Sequence, residues 1–245
     1  MKKRDDNNLP SETELMKNEL EKRIAGEIVL SENPGNVIKK WRNLFKISQK
    51  ELSKNANITP SVISDYESCR RKSPGIGIIK KIINSLIGIE FSRGGNIIKE
   101  FSPYSGSLIN AILDIKEFTE PVSIKRFCNV AKCSFVNKCN INNKIFGYTV
   151  IDSLTAIINF PPSELVKIYG STTERALIFT KVSTGRSPMV AIRVTELKPR
   201  LVVLHGIRDV DDIALQIAKV ENIPLAISEK RDIKDIIKDL RKNFT

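Results

Sequence analysis

Cys128, Cys133 and Cys139 fall within twelve residues, with four and then five residues between neighbours. Thiolates grouped in this way are the chemistry of a zinc site, an iron–sulfur cluster or a redox switch. Zinc sites favour C-x2-C or C-x4-C pairs and a fourth ligand. The outside donors here, Cys69 and His205, are remote in sequence. Ordinary thiols, a metal or cluster site and a redox switch stay open, with ordinary thiols preferred. No cofactor is required. His205 is the single histidine. A triad needs a nucleophile, a base and an orienter, and only Ser183, Ser187 or a cysteine could partner it. No catalytic constellation assembles, so the chain is expected not to be an enzyme.

A second group of residues suits an anion. Thr180-Lys181-Val182-Ser183-Thr184-Gly185-Arg186-Ser187-Pro188 offers hydroxyls, a glycine and a cation, the parts of an anion-binding concavity. No phosphate-loop lysine follows and there is no GxGxxG. A polar hairpin loop between two strands is preferred over a ligand loop. His205 ends a short apolar run and precedes a helix start, where open α/β sheets bind ligands. Asp209, Asp211 and Asp212 crowd that helix start; they suit capping and disfavour an anion. Arg186, Ser187 and His205 are the ligand-binding candidates, with a structural role preferred for His205. Residues 171–175 suit capping or binding equally.

The net charge of +12 is concentrated: residues 34–89 alone carry +8, from 11 basic and 3 acidic side chains. A patch of this density is what attraction to a phosphate backbone requires. No apolar run approaches the ~18–20 residues of a spanning helix. The start, MKKRDDNNLPSETELMKNELEKR, has no apolar stretch behind its basic residues. Four cysteines in 245 residues make no disulfide framework. The expectation is a soluble cytoplasmic protein without a membrane partner.

The elements that must position these residues come in two textures. Ser11 with Glu14 reads as a capping box opening a helix through about Arg23; Ala25–Leu30 extends it or forms a strand. Asn33-Pro34-Gly35 is a break, and residues 36–88 have helical periodicity cut into short pieces. Arg93-Gly94-Gly95-Asn96 is a turn. Residues 103–117 contain a helical stretch, and a helix is expected at 122–131. After about residue 145, Leu177–Val182, Met189–Val194, Leu201–His205 and Pro224–Ile227 read as strands from their length and β-branched content. Helices are expected at Val210–Val220 and Ile233–Leu240. The fold class is therefore multidomain, α + α/β. An N-terminal helical extension (1–33) precedes an all-α helix-turn-helix domain (34–92). A helical connector with a dimerisation role (93–145) leads to a small C-terminal α/β domain with a mixed sheet (146–245).

Val37–Ile89 is the informative stretch. Val37, Ile38, Trp41, Leu44 and Phe45 form one apolar stripe. Ser48 caps a second helix whose inner face is Leu52 and Ala56. After Asn57-Ile58, Thr59 is an N-cap and Pro60 occupies the first helical position, where a missing N–H costs nothing. In the third helix Ile63 and Tyr66 point inward, leaving Pro60, Ser61, Ser64 and Asp65 outside. Arg70-Arg71-Lys72 follows at once. Two short helices with a small polar outer face on the second match a recognition helix entering a major groove.

On the words Trp41-Arg42, Ile47-Ser48-Gln49-Lys50-Glu51-Leu52, Ile63-Ser64-Asp65-Tyr66-Glu67 and Arg71-Lys72-Ser73-Pro74, this segment resembles the lambda-repressor-like, XRE-type helix-turn-helix family. The resemblance covers about a fifth of the chain. It implies that Gln49 touches the DNA backbone and that Pro60, Ser61 and Asp65 face bases. It also implies an ion pair between Arg42 and Glu67, and places Arg70, Arg71 and Lys72 at phosphate. The family's glycine after the third helix is Cys69 here; a left-handed Cβ residue there costs on the order of 1 kcal/mol. The base-facing set lacks the long Gln or Arg that reads purines bidentately. More faintly, the whole chain resembles archaeal regulators of the same two-part build.

The leading expectation is a transcriptional regulator that binds double-stranded DNA as a homodimer. Its C-terminal domain would dimerise or sense a small-molecule effector. An adaptor resembling multiprotein bridging factors comes second. Third is an enzyme with a DNA-binding appendage, its chemistry around Arg186 and His205.

Overall fold

The computed structural model describes residues 12–101, 111–160 and 162–244. The chain divides into two units near residue 104, one helical and one built on a sheet.

The helical unit contains α1 (Glu12–Leu30), α2 (Pro34–Leu44), α3 (Gln49–Ala56), α4 (Pro60–Glu67), α5 (Ile76–Ser92) and α6 (Asn96–Phe101). Ala25–Leu30 continues α1 rather than forming a strand. The expected capping residue Ser11 lies outside the described residues. Local chemistry sets the boundaries of the central helices. The Ser48 hydroxyl accepts the Glu51 amide at 3.1 Å and starts α3. Left-handed Asn57 (φ 50) ends it. Pro60 opens α4 while the Thr59 hydroxyl, instead of capping, shares a hydrogen bond with Ser61 Oγ at 3.1 Å. Ile38, Trp41, Leu52, Ile63 and Leu86 are buried together at 1% exposure or less. Leu44, expected in the same stripe, is partly exposed.

Two positions in this unit are sterically set. A Cβ on Gly35 would stand 1.7 Å from the Tyr66 carbonyl oxygen, so only glycine lets α2 start against the end of α4. Cys69 is left-handed (φ 58), the conformation that glycine tolerates best.

The second unit is a three-layer α/β/α sandwich. Its elements are β1 (Ile112–Ser123), α7 (Ile124–Ala131), β2 (Cys133–Phe135), β3 (Lys144–Asp152), α8 (Ser153–Asn159), a 3-10 helix (Pro162–Tyr169), β4 (Ala176–Thr180), α9 (Arg186–Val194), β5 (Leu201–His205), α10 (Asp212–Val220), β6 (Leu225–Ser228) and α11 (Ile233–Asn243). The sheet order is β1-β3-β4-β5-β6-β2. β3 to β6 run parallel, and β1 and β2 close the edges antiparallel. Because side chains alternate along a strand, Ile178 and Val203 join one core with α7 and α11. Leu177 and Val202 join the other with α9 and α10.

Three expectations are corrected. Met189–Val194 is helical, part of α9, not a strand: Met189 and Ile192 are buried at i, i+3 while Val190 and Val194 are exposed. The loop before it is thus a strand-to-helix connection and not a hairpin. In the helix expected over 103–117, residues 102–110 lie outside the described residues and 112–117 are strand β1. The segment 93–145, expected as a helical connector, holds the edge strands β1 and β2 as well as α6 and α7. Pro121 sits in β1 where the register shifts between Glu117 and Val122, which is where a sheet tolerates a residue without an N–H.

Trp41 is the chain's single tryptophan and reports on the helical unit alone. In urea unfolding followed by its fluorescence, Gly35→Ala is expected to lose about 1–3 kcal/mol from overpacking. Cys69→Gly should gain up to about 1 kcal/mol by relieving the left-handed Cβ.

Candidate nucleic-acid interface

The interface is built from a buried polar centre outward. Glu67, at the end of α4, is almost wholly buried (side chain 2% exposed). Arg42 of α2 meets it with a two-pronged contact, Nε to Oε1 at 2.7 Å and Nη2 to Oε2 at 2.8 Å. The remaining prong, Nη1, donates to the Ile47 carbonyl at 2.7 Å. The Gln49 amide, at the start of α3, donates to Glu67 Oε2 at 2.8 Å. One carboxylate therefore gathers α2, α3 and α4, and in return the hydrogen bonds that Arg42 donates to Glu67 hold its guanidinium above its ordinary pKa.

A second arginine braces the same corner. Arg93, past the end of α5, donates to the carbonyls of Phe45 and Lys46 at 3.0 and 3.2 Å, and to both oxygens of Glu51 at 2.8 and 2.7 Å. Trp41 Nε1 donates to Glu27 of α1 at 2.8 Å, and Lys40 pairs with the same carboxylate. Burial pushes the Glu27 carboxyl up, but the hydrogen bonds from Lys40 and Trp41 outweigh it and hold the group below its ordinary range. Sequence reasoning missed Arg93–Glu51 and Glu27–Trp41. Both join residues distant along the chain and leave no spacing to read.

On the outer side of α4, Pro60 and Ser61 are exposed and Ser64 and Asp65 half-buried. Arg70, Arg71 and Lys72 are all exposed. Asp65 is not idle: its Oδ1 accepts Arg70 Nε at 2.9 Å and its Oδ2 lies 3.7 Å from Arg71 Nε. Arg70 Nη2 also reaches Ser64 Oγ at 3.5 Å. The acid and two of the cations flanking the proposed reading face are thus drawn together.

The other candidates do not converge. Arg186 grips Asp211 with Nε to Oδ1 at 3.0 Å and Nη2 to Oδ2 at 2.5 Å. Ser187 sits in the first turn of α9. His205 is buried, with Nδ1 3.0 Å from Thr180 Oγ1. Burial lowers its pKa below the ordinary value, partly offset by the carbonyls of Lys230 and Arg231. Cys133 and Cys128 thiols face each other, and this contact together with burial pushes the Cys133 thiol up. Cys139 donates to the Asn137 carbonyl at 3.7 Å. Among the described residues no group of three or more His, Cys, Asp or Glu is placed to hold a metal ion.

Residues 38–87 match the helix-turn-helix family model. The chain is 48% identical over 223 residues to an uncharacterized HTH-type transcriptional regulator of Methanocaldococcus jannaschii, covering 89% of this chain and 92% of that one. It is 46% identical over 224 residues to another from Archaeoglobus fulgidus, covering 91% and 96%. The chain belongs to this family of HTH-type transcriptional regulators. No solved structure matches it. The matched segment runs from α2 into α5, so it contains the whole Arg42–Glu67 centre of the regulator and all of α4.

Arg42→Ala leaves the Glu67 carboxylate buried without its cation, and should cost about 3–5 kcal/mol. Adding Glu67→Gln should restore part of the loss, a positive coupling readable in a double-mutant cycle on Trp41 fluorescence.

Proposed function

We propose that the regulator reads duplex DNA with α4 in the major groove. Pro60, Ser61, Ser64 and Asp65 face the bases, Gln49 approaches the backbone, and Arg70, Arg71 and Lys72 hold phosphates. The observation that carries this reading is the outer face of α4: its side chains are small, with Pro60 and Ser61 exposed and Ser64 and Asp65 half-exposed, and three exposed cations follow within five residues of its end. A short polar face admits close approach to base edges. The cations supply the salt-dependent part of the affinity.

Homodimerisation follows from the geometry of one recognition helix, which spans only a few base pairs; two half-sites give useful affinity. The second unit supports a self-association role. Leu154, Ile157 and Ile158 of α8 and Val190 and Val194 of α9 are exposed, apolar side chains that a second copy would cover. The same unit takes the effector-sensing role. No catalysis is assigned: the two residues that could carry it are engaged structurally, Arg186 with Asp211 and His205 Nδ1 with Thr180. Among the described residues no helix is long and apolar enough to cross a membrane; a role in transcription supports a cytoplasmic location.

Binding to duplexes selected by the regulator, and to scrambled controls, is read by fluorescence anisotropy across a salt series. Arg71→Ala and Lys72→Ala should weaken both duplexes alike and flatten the salt slope by about one unit per lost phosphate contact. Ser61→Ala and Asp65→Ala should change the ratio between selected and scrambled DNA, by roughly 1–3 kcal/mol where a base contact is lost. Since Asp65→Ala also releases two arginines, affinity for scrambled DNA should rise in that variant. If Ser61→Ala and Asp65→Ala leave the ratio unchanged, α4 is not the reading element.

A further inference from the structure

The parallel neighbours β3 and β4 end side by side, with Asp152 in register with Thr180. Ser153 follows the first and opens α8. Lys181 to Gly185 follows the second and leads into α9. The β4–α9 loop is fixed in place from outside the cleft. The Asp211 amide donates to the Thr184 carbonyl at 3.0 Å, and Arg186 clamps the Asp211 carboxylate. Gly185 is left-handed (φ 78), and a Cβ there would stand 2.4 Å from Leu204 Cδ1. No side chain caps α9; its third residue, Pro188, has no N–H, so the Arg186 and Ser187 amides are the ones left for an acceptor from elsewhere.

A cleft of mixed lining, about 260 Å³, lies here, with Ser153, Lys181, Ser183 and Ser187 as its polar side chains and Leu154 and Val182 among its apolar ones. It shares Ser153, Ile157, Ser187 and Pro188 with an apolar slot of about 190 Å³, whose walls include Ala156, Phe160, Phe179 and Ala191. Ser153 is only 4% exposed, lines both spaces, and its hydroxyl has no hydrogen-bond partner among the described residues. A buried hydroxyl without a partner is costly; one that borders a cleft is completed by a ligand. Asp152, the one carboxylate beside the cleft's floor, is already neutralised. Lys181 Nζ stands 2.6 Å from its Oδ2, and its Oδ1 accepts the Thr155 amide at 3.1 Å.

We propose that this cleft and slot bind a small phosphomonoester carried on an apolar, ring-sized body. Hydroxyls of Ser153, Ser183 and Ser187 and the Arg186 and Ser187 amides at the start of α9 supply more donors than a carboxylate takes up, and the Lys181 ammonium, shared with Asp152, adds one more. They suit the three terminal oxygens of a phosphate. The adjoining slot takes the body. This gives the sensing role proposed above a chemical class, but binding is measured without DNA, so a failure of the DNA-reading helix leaves the result intact.

The probe is phenyl phosphate, titrated calorimetrically into the full chain, with inorganic phosphate and phenol as half-ligands. Phenyl phosphate is expected to bind once per chain and at least tenfold more tightly than either half. Ser153→Ala should weaken it several-fold while leaving the unliganded melting temperature unchanged or higher, since an unpaired buried hydroxyl is removed. Ser187→Glu places a negative charge at the uncapped helix start and should weaken it at least tenfold with the fold intact by circular dichroism. Absence of phenyl phosphate binding at millimolar concentration overturns the proposal. So does binding that is no tighter than that of the half-ligands, or that both variants leave unchanged.

Discussion

The helical unit depends on a carboxylate that has almost no access to water. Glu67 sits at the end of the helix proposed to read DNA, and a buried charge of that kind persists only when paired and fully hydrogen-bonded. Arg42 answers with a planar fork that fits both oxygens at once, and its third prong takes the Ile47 carbonyl. A lysine could supply the charge but not the fixed angle between three bonds. The pair therefore sets an orientation as well as an energy: α4 is held relative to α2, and Gln49 adds α3 to the same centre. The Gly35–Tyr66 contact works in the same direction, since it lets the start of α2 lie against the backbone that carries Glu67.

The sheet-bearing unit solves its own assembly by the same means. Arg175 is fully buried and donates to the Tyr148 and Lys116 carbonyls at 2.8 and 3.2 Å, to Glu117 at 2.8 Å, and to the Tyr169 carbonyl. One guanidinium thereby joins edge strand β1, strand β3 and the end of the 3-10 helix. Its space is kept clear by glycines: a Cβ on Gly147 or Gly170 would meet the Arg175 guanidinium or the Glu117 carboxylate. Asp114 of β1 adds a further buried tie, accepting Tyr148 Oη at 2.7 Å and Arg241 of α11 at 3.0 and 3.1 Å.

What could be read from the sequence follows the range of each signal. Ser48, Thr59-Pro60 and the apolar stripes act within a few residues, so α3 and α4 are legible with their caps. The strand–helix pair β5–α10 and its successor β6–α11 are legible for the same reason. β3 is not: Gly147 and Asp152 break its apolar run, and its identity comes from partners on both sides. The typing of Met189–Val194 fails because a short β-branched run reads alike as strand or helix until burial is known. Its true period shows only when Met189 and Ile192 go inside. The Arg42–Glu67 pair joins residues 25 apart and entered through family resemblance; Arg93–Glu51, 42 apart, had no such guide. The Ser153 cleft is not legible in the sequence, because residues 180–188 read as a hairpin loop and only the structure sets them at a helix start.

Charge usage in residues 34–89 divides by residue type. The three acidic side chains there are Glu51, Asp65 and Glu67, and each is met by arginine: Arg93, Arg70 with Arg71, and Arg42. The eight lysines of the same stretch are exposed without exception. Arginine spends its directional fork on geometry, while lysine, a hydrated point charge on a flexible stem, contributes to the field. Lys40 pairs with Glu27 of α1, but the segment's own three carboxylates are all met by arginine, so the rest of its lysine charge faces solvent. A surface of this kind attracts any polyanion from a distance. Under the proposed reading, discrimination falls to the few uncharged and acid groups of α4, where Asp65 is held by Arg70 and Arg71 until a donor on a base competes for it.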